Sequence, residues 1–245
     1  MRLTGEVHLI GSGAGGFGLT DPGDCHVYAV DGGEEIAIID AGLGRAPERL
    51  LGVLREDGLD PARVRAIILT HAHGDHGGGL AALRGLTGAR VYVPAEAAPW
   101  VEVADEDKIS LTAARAAGGY PADFRWRPCP VDVAVADGDV IPVGRLALRA
   151  IETPGHCRGH CAYLLDGAAG RALFAGDLIF WGGTISLLNT WDCSIQDLAA
   201  SVEKLADLAI DGLLPGHGQL ALSGGQAHID QALARFRRLG VPPNK

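Results

Sequence analysis

Thr70-His71-Ala72-His73-Gly74-Asp75-His76-Gly77-Gly78 is the stretch on which the reading of this chain turns. Three of its nine histidines and one aspartate fall within residues 71–76. The preceding residues 64–69, Val-Arg-Ala-Ile-Ile-Leu, read as a buried strand. The cluster therefore sits at a strand's carboxyl end, where ligands of sheet proteins converge. His71 and His73 are two apart, so an extended backbone points both the same way. Gly74, Gly77 and Gly78 let the chain turn sharply through Asp75 and His76. Imidazole and carboxylate together suit zinc, iron or manganese.

Three further segments repeat the pattern of strand, glycine and ligand-type residue. Thr153-Pro154-Gly155-His156 follows an expected strand at 146–151, Ala175-Gly176-Asp177 one at 171–175, and Pro215-Gly216-His217 one at 212–214. The candidate ligands are then His71, His73, Asp75, His76, His156, Asp177 and His217. Four strand ends supply them, and they exceed what one tetrahedral ion uses. They suit two ions about 3.5–4 Å apart, with a carboxylate between them.

Outward from these segments, strands are expected at 6–10, 25–30, 35–40, 90–93, 140–143 and 161–165. Helices are expected at 47–56, 79–86, 196–210 and 225–239, the first opened by Pro47. Residues 94–137 lose this regularity and read as a cap or insertion over the site. The order of elements predicts an α/β chain, 1–245 as a single domain, with two packed sheets and helices outside.

Composition narrows the function. The chain has 245 residues, 47% of them hydrophobic, with 21 basic against 30 acidic side chains and a formal net charge of −9. That balance disfavours a sequence-independent hold on nucleic acid or anionic lipid. No apolar run is long enough to span a bilayer. Glu6 interrupts the opening residues, so no signal peptide is expected and a cytoplasmic location is. Five cysteines, an odd number, fit reduced thiols there. Glycine, at 36 of 245 residues, is about twice its usual ~7% share, and many glycines flank the proposed ligands.

The set HxHxDH, TPGH, AGD and PGH resembles the metallo-β-lactamase-fold hydrolase superfamily, and the likeness runs from Asp40 to His217. The resemblance implies a four-layer αβ/βα sandwich. It implies that His71, His73 and His156 hold one metal, Asp75, His76 and His217 the other, and that Asp177 bridges. Two divalent ions are expected, zinc first, with iron or manganese as alternatives. Hydroxide held at the metals would attack a carbonyl, and Asp75 would orient it or carry a proton to the leaving group. Asp40 is read as orienting a metal-bound histidine rather than binding metal.

Within the superfamily, Asp177 stands where the true β-lactamases carry Cys or Ser, and His73 stands where the flavodiiron oxidoreductases place Glu. The resemblance points to the glyoxalase II-like or lactonase-like branch: hydrolysis of an ester, thioester or lactone of a small molecule. Only 28 residues follow His217, too few for the helical domain with which glyoxalase II reads glutathione. The alternatives are a mononuclear-iron enzyme resembling persulfide dioxygenase and a promiscuous β-lactamase or phosphodiesterase. Neither oligomeric state nor acyl group is legible.

Other residues carry weaker expectations. Phe180, Trp181 and Trp191, just past Asp177, are candidates for one wall of the substrate pocket. Gly11-Ser12-Gly13-Ala14-Gly15-Gly16 matches a dinucleotide fingerprint, but no helix follows it, so it reads as a hairpin loop near the site. His160 reads as support for the ligands, His26 as lining the mouth or packing, and His8 and His228 as structural or exposed. Arg125, Trp126 and Arg127 offer either a hold on a substrate carboxylate or a solvated loop, and the solvated loop is the preferred reading.

Overall fold

The computed structural model describes residues 1–245. The chain order is β1 (Val7–Gly11), β2 (Val27–Asp31), β3 (Ile36–Ile39), α1 (Pro47–Glu56), β4 (Val64–Ile68), α2 (Gly74–Gly77), α3 (Leu80–Thr87) and β5 (Arg90–Pro94). Next come α4 (Ala98–Val103), α5 (Leu111–Ala116), β6 (Val133–Val135), β7 (Val140–Val143), β8 (Leu146–Glu152), β9 (Cys161–Gly167) and β10 (Gly170–Gly176). The chain closes with α6 (Ile195–Lys204), β11 (Gly212–Pro215) and α7 (Gln226–Phe236).

Two sheets result. One runs β1-β2-β3-β4-β5-β6 and the other β11-β10-β9-β8-β7. In the first, β1 to β3 pair antiparallel, and β3 to β6 pair parallel. In the second, only β10 and β11 are parallel. Since β8 and β10 both run antiparallel to β9, β8, β10 and β11 end on one edge. The loops after β3, β4, β8, β10 and β11 carry Asp40, the 70–78 cluster, His156, Asp177 and His217.

Three apolar cores define four layers, an α/β sandwich of helix, sheet, sheet and helix. The alternation along β3 shows how. Ile36 and Ile38 join the core shared with α1 and α3, whereas Ala37 and Ile39 join the core between the sheets. Both faces of this strand are buried, which is why it reads as a continuous apolar run. The third core packs Leu198 and Val202 of α6 and Ile229 and Leu233 of α7 under the second sheet. No helix is long and apolar enough to cross a membrane.

Two segments differ from expectation. The helix expected over 196–210 stops at Lys204, because Asp207 and Ala209 take left-handed backbone, φ +59° and +55°. Residues 133–135, expected inside the insertion, form the edge strand β6 against β5. The segment before it is no detached lid: Val101, Ile109, Leu111, Trp126 and Cys129 are buried in the first core.

Candidate metal centre

Asp40 organises the floor of the site. Its Oδ1 accepts hydrogen bonds from the Thr70 amide (2.7 Å) and hydroxyl (3.0 Å), and its Oδ2 accepts one from Nδ1 of His76 (2.8 Å). The tight turn expected at 74–77 is the single-turn helix α2, entered from His73 in extended backbone. That step leaves His71 and His73 on one side and swings His76 back over Asp40. Gly155 (φ +137°) lets the loop after β8 lie against α6, where a Cβ would come within 2.3 Å of the Leu198 backbone. His156 is thereby delivered to the same place.

Three imidazole nitrogens converge there. Nδ1 of His73 is 3.1 Å from Nε2 of His71 and 2.9 Å from Nε2 of His156. Zinc–nitrogen bonds of about 2.0–2.1 Å set neighbouring ligand nitrogens about 3.3 Å apart, close to this spacing. A second group gathers beside it. Nε2 of His217 lies 3.1 Å from Oδ2 of Asp75, and Nε2 of His76 lies 3.8 Å from that oxygen. Asp177 stands between the groups, 3.4 Å from Nε2 of His76, 3.8 Å from Nε2 of His156 and 3.7 Å from Nε2 of His217.

The outer ring nitrogens are engaged from behind. Nδ1 of His71 meets the Thr70 hydroxyl (3.0 Å), and Nδ1 of His156 donates to the Ser186 carbonyl (3.1 Å). With Nδ1 of His76 on Asp40, three Nε2 lone pairs aim inward, the arrangement that metal-binding histidines need. Nε2 of His76 and Oδ1 of Asp177 are buried with no hydrogen-bond partner. Two polar atoms stranded in this way are costly unless a cation completes them.

The electrostatics agree. Burial first, and neighbouring histidines next, push His71 well below the usual histidine range. Burial and His156 bring His73 down to about 3. Both are neutral at pH 7, as ligands must be. Burial would lower His76 too, but Cys25, Asp40, Asp75 and Asp177 together hold it well above its ordinary value. His217 and His76 outweigh burial at Asp177 and hold it well below the carboxylate range. The point where these side chains meet favours positive charge, and the donor set fits divalent metal.

All seven sequence-derived ligands are therefore brought together, in clusters that also include Cys157 and Cys25. In sequence, Cys157 gives only a weak metal signal, by its spacing of four from Cys161. Burial pushes its thiol well above the usual range. His160 accepts a hydrogen bond from the Asp177 amide (3.2 Å) and pairs with Thr153 (2.9 Å), so it fixes the backbone beneath Asp177. His26 donates to the Gly218 carbonyl (3.0 Å) and lies 6.4 Å, ring to ring, from His217. The Gly11–Gly16 loop closes over the same edge: the Gly15 carbonyl accepts from the Gly218 amide (2.8 Å). His8 is buried against Asp57 at 2.9 Å, and His228 accepts from the Gly182 amide at 3.0 Å.

The expected aromatic wall lies elsewhere. A cleft of about 690 Å³ opens beside Asp75 and His217, and Phe180, Trp181 and Trp191 do not line it. Phe180 is buried under Lys245, Trp181 stacks on His228 at 4.3 Å, and Trp191 packs edge-on to Trp100 at 6.0 Å. Leu43, Tyr120, Pro121 and Leu188 line the cleft instead. The Tyr120 hydroxyl donates to Oδ1 of Asp75 at 2.6 Å. Forty-five positions separate the two, and no local pattern announces the contact.

Comparison with known proteins bears on the family and the fold. A family model described as the metallo-beta-lactamase superfamily covers residues 20–217. An atrochrysone carboxyl ACP thioesterase of Aspergillus fumigatus is 27% identical over 87% of this chain and 56% of its own length. A hydroxyacylglutathione hydrolase of Cupriavidus taiwanensis is 34% identical over 77% of this chain and 60% of its own length. The chain thus spans little more than half of these curated relatives. Among solved structures, a metallo-beta-lactamase family protein from Thermus thermophilus superposes with a TM-score of 0.71, at 27% identity, over 97% of this chain and 81% of the other. On the family match and the shared four-layer sandwich, the chain belongs to the metallo-β-lactamase superfamily.

Proposed function

We propose that the chain is a metal-dependent hydrolase with a dinuclear centre that cleaves an ester, thioester or lactone of a small molecule, a thioester foremost. One observation carries the reading: the Asp177 carboxylate lies within 3.4–3.8 Å of imidazole nitrogens from both ligand groups. A single carboxylate so placed suits two ions rather than one. Bound divalent ions, zinc by the nitrogen-rich donor set, would supply hydroxide at neutral pH and charge to stabilise an oxyanion. The chain's own contribution is positional. Asp75 borders the cleft, fixed by Tyr120 and His217, where it can hold the nucleophile and pass a proton to the leaving group. The names of two relatives, a thioesterase and a hydroxyacylglutathione hydrolase, favour the thioester over the lactone. Five unpaired cysteines support a cytoplasmic setting.

The test is metal analysis joined to a hydrolysis screen. Two zinc-like ions per chain with thioester turnover, and a loss of 10²-fold or more in Asp177→Ala together with a drop in metal content, are expected. One iron per chain with oxygen uptake would replace this reading by the oxygenase one.

A further inference from the structure

The cleft beside Asp75 adjoins a second cavity of about 390 Å³, and Leu43, Arg45 and Pro121 line both. Three guanidiniums, Arg45, Arg125 and Arg127, border this second cavity, with Asp123 as its one acidic side chain. In a chain of formal net charge −9 this is a local reversal of sign. The guanidiniums are scarcely neutralised. Arg45 reaches Asp21 only at 4.0 Å. Arg125 donates to the carbonyls of Ala122 and Phe124, at 2.8 Å each, which anchors it without cancelling its charge. The Arg127 side chain makes neither a hydrogen bond nor an ion pair.

The insertion is built to present them. Trp126 is buried between the two arginines, and its ring fills the space over Gly77, where a Cβ would lie 2.2 Å from it. Trp126 is anchored inward, and Arg125 and Arg127 on either side of it are exposed. The segment, solvated at Arg125 and Arg127 as its sequence suggests, is anchored at Trp126 and presents a basic border to the cavity that adjoins the Asp75 cleft.

We infer that the substrate is a small-molecule acyl thioester whose thiol arm ends in phosphate, with the phosphate held by Arg45, Arg125 and Arg127. The inference rests on the hydrolase reading above. Guanidinium forks match phosphate oxygens in pairs, and three of them provide more donors than one carboxylate can accept. Asp75, the proton-carrying group, lines the cleft that shares Leu43, Arg45 and Pro121 with the basic cavity, and the departing thiol is assigned to that cavity. Leu43, Tyr120 and Pro121 provide a largely apolar passage between the two ends.

One acyl group is placed on three thiols: coenzyme A, which bears phosphates; glutathione, which bears carboxylates; and uncharged N-acetylcysteamine. The coenzyme A thioester is expected to exceed both others at least tenfold in kcat/KM. That advantage should fall below threefold in Arg125→Ala/Arg127→Ala, with circular dichroism showing a retained fold. Calorimetry with free coenzyme A gives a second readout, independent of turnover: binding should weaken at least tenfold in the double variant and on raising salt. Equal kcat/KM on all three thiols, a glutathione preference, or undiminished coenzyme A binding in the double variant would overturn the phosphate assignment while leaving the hydrolase reading intact. If no thioester is cleaved the thioester reading falls while ester and lactone hydrolysis stand, and calorimetry still decides the cavity: loss of binding in the variant supports it, and no binding to the native chain overturns it.

Discussion

Nδ1 of His76 donates a 2.8 Å hydrogen bond to Oδ2 of Asp40, and Asp40 holds that pose from left-handed backbone at φ +64°. Among non-glycine residues, Asp and Asn tolerate this region best. Asp40→Asn should therefore keep the turn, with its oxygen still accepting from Thr70, while its NH2 group replaces the oxygen that accepts from Nδ1 of His76. The affinity of the Asp75, His76 and His217 group for metal should drop roughly 10–100-fold, with little change in Tm. Asp40→Ala should add a stability loss of about 2–4 kcal/mol, since it strands the buried Thr70 amide and hydroxyl. Titration against a competing chelator measures the first effect. An Asn variant that binds metal as tightly as the native chain would remove Asp40 from the orienting role.

Gly216 is a steric requirement. A Cβ at this position would lie 2.3 Å from Oδ1 of Asp177 and 2.6 Å from Cε1 of His76. Gly216→Ala must displace one ligand or the other, at a cost of about 1–3 kcal/mol in overpacking. Metal content should fall while far-ultraviolet circular dichroism is retained. Gly85, inside α3 with no atom within 4 Å of its added Cβ, supplies the contrast. There, Gly→Ala should stabilise by about 0.5–1 kcal/mol and leave metal binding alone. Equal metal content in the two variants would contradict the crowding at 216.

His26 makes stability pH-dependent. Burial first pushes its imidazole down to about 4, from an ordinary 6.5. Between those values the unfolded chain takes up a proton that the folded chain refuses. Stability from this residue is thus full above pH 6.5 and lost as pH falls towards 4. Going from pH 7 to 4.5 should cost the metal-free native chain about 2 kcal/mol more than it costs His26→Asn. Urea denaturation of both at the two pH values reads this directly, and parallel losses would show that His26 is protonated when folded.

What the sequence reveals follows from how local each signal is. The bounds of α1, Pro47–Glu56, are readable because proline marks its start and its leucines share one face. The ligands are readable because each follows an apolar strand and sits beside a glycine that turns the chain. Long-range pairing is not readable. The three-residue β6 is defined only by its register with β5, Tyr92 opposite Val133. Phe180, Trp181 and Trp191 stand near Asp177 in sequence, yet none of them lines the cleft beside Asp75. Arg125 and Arg127 read as solvated charges and are exposed, whereas the burial of Trp126 between them, against the distant Gly77, is not readable.

Tyr120 extends the same point to catalysis. Its hydroxyl reaches Oδ1 of Asp75 at 2.6 Å from an insertion 45 residues away, while Oδ2 faces His217. One oxygen is thereby committed to the insertion and the other to the ligand group, which fixes the carboxylate's rotation. Tyr120→Phe keeps the ring and removes only the donor. A hydrogen bond to a charged group contributes about 1.5–3 kcal/mol, so kcat should fall roughly tenfold or more, with KM moving less. Metal affinity gives the second readout, because a freely rotating Asp75 holds its ion less tightly. A variant with native kcat and native metal affinity would mean that Tyr120 only packs. A loss confined to thermal stability would mean the same.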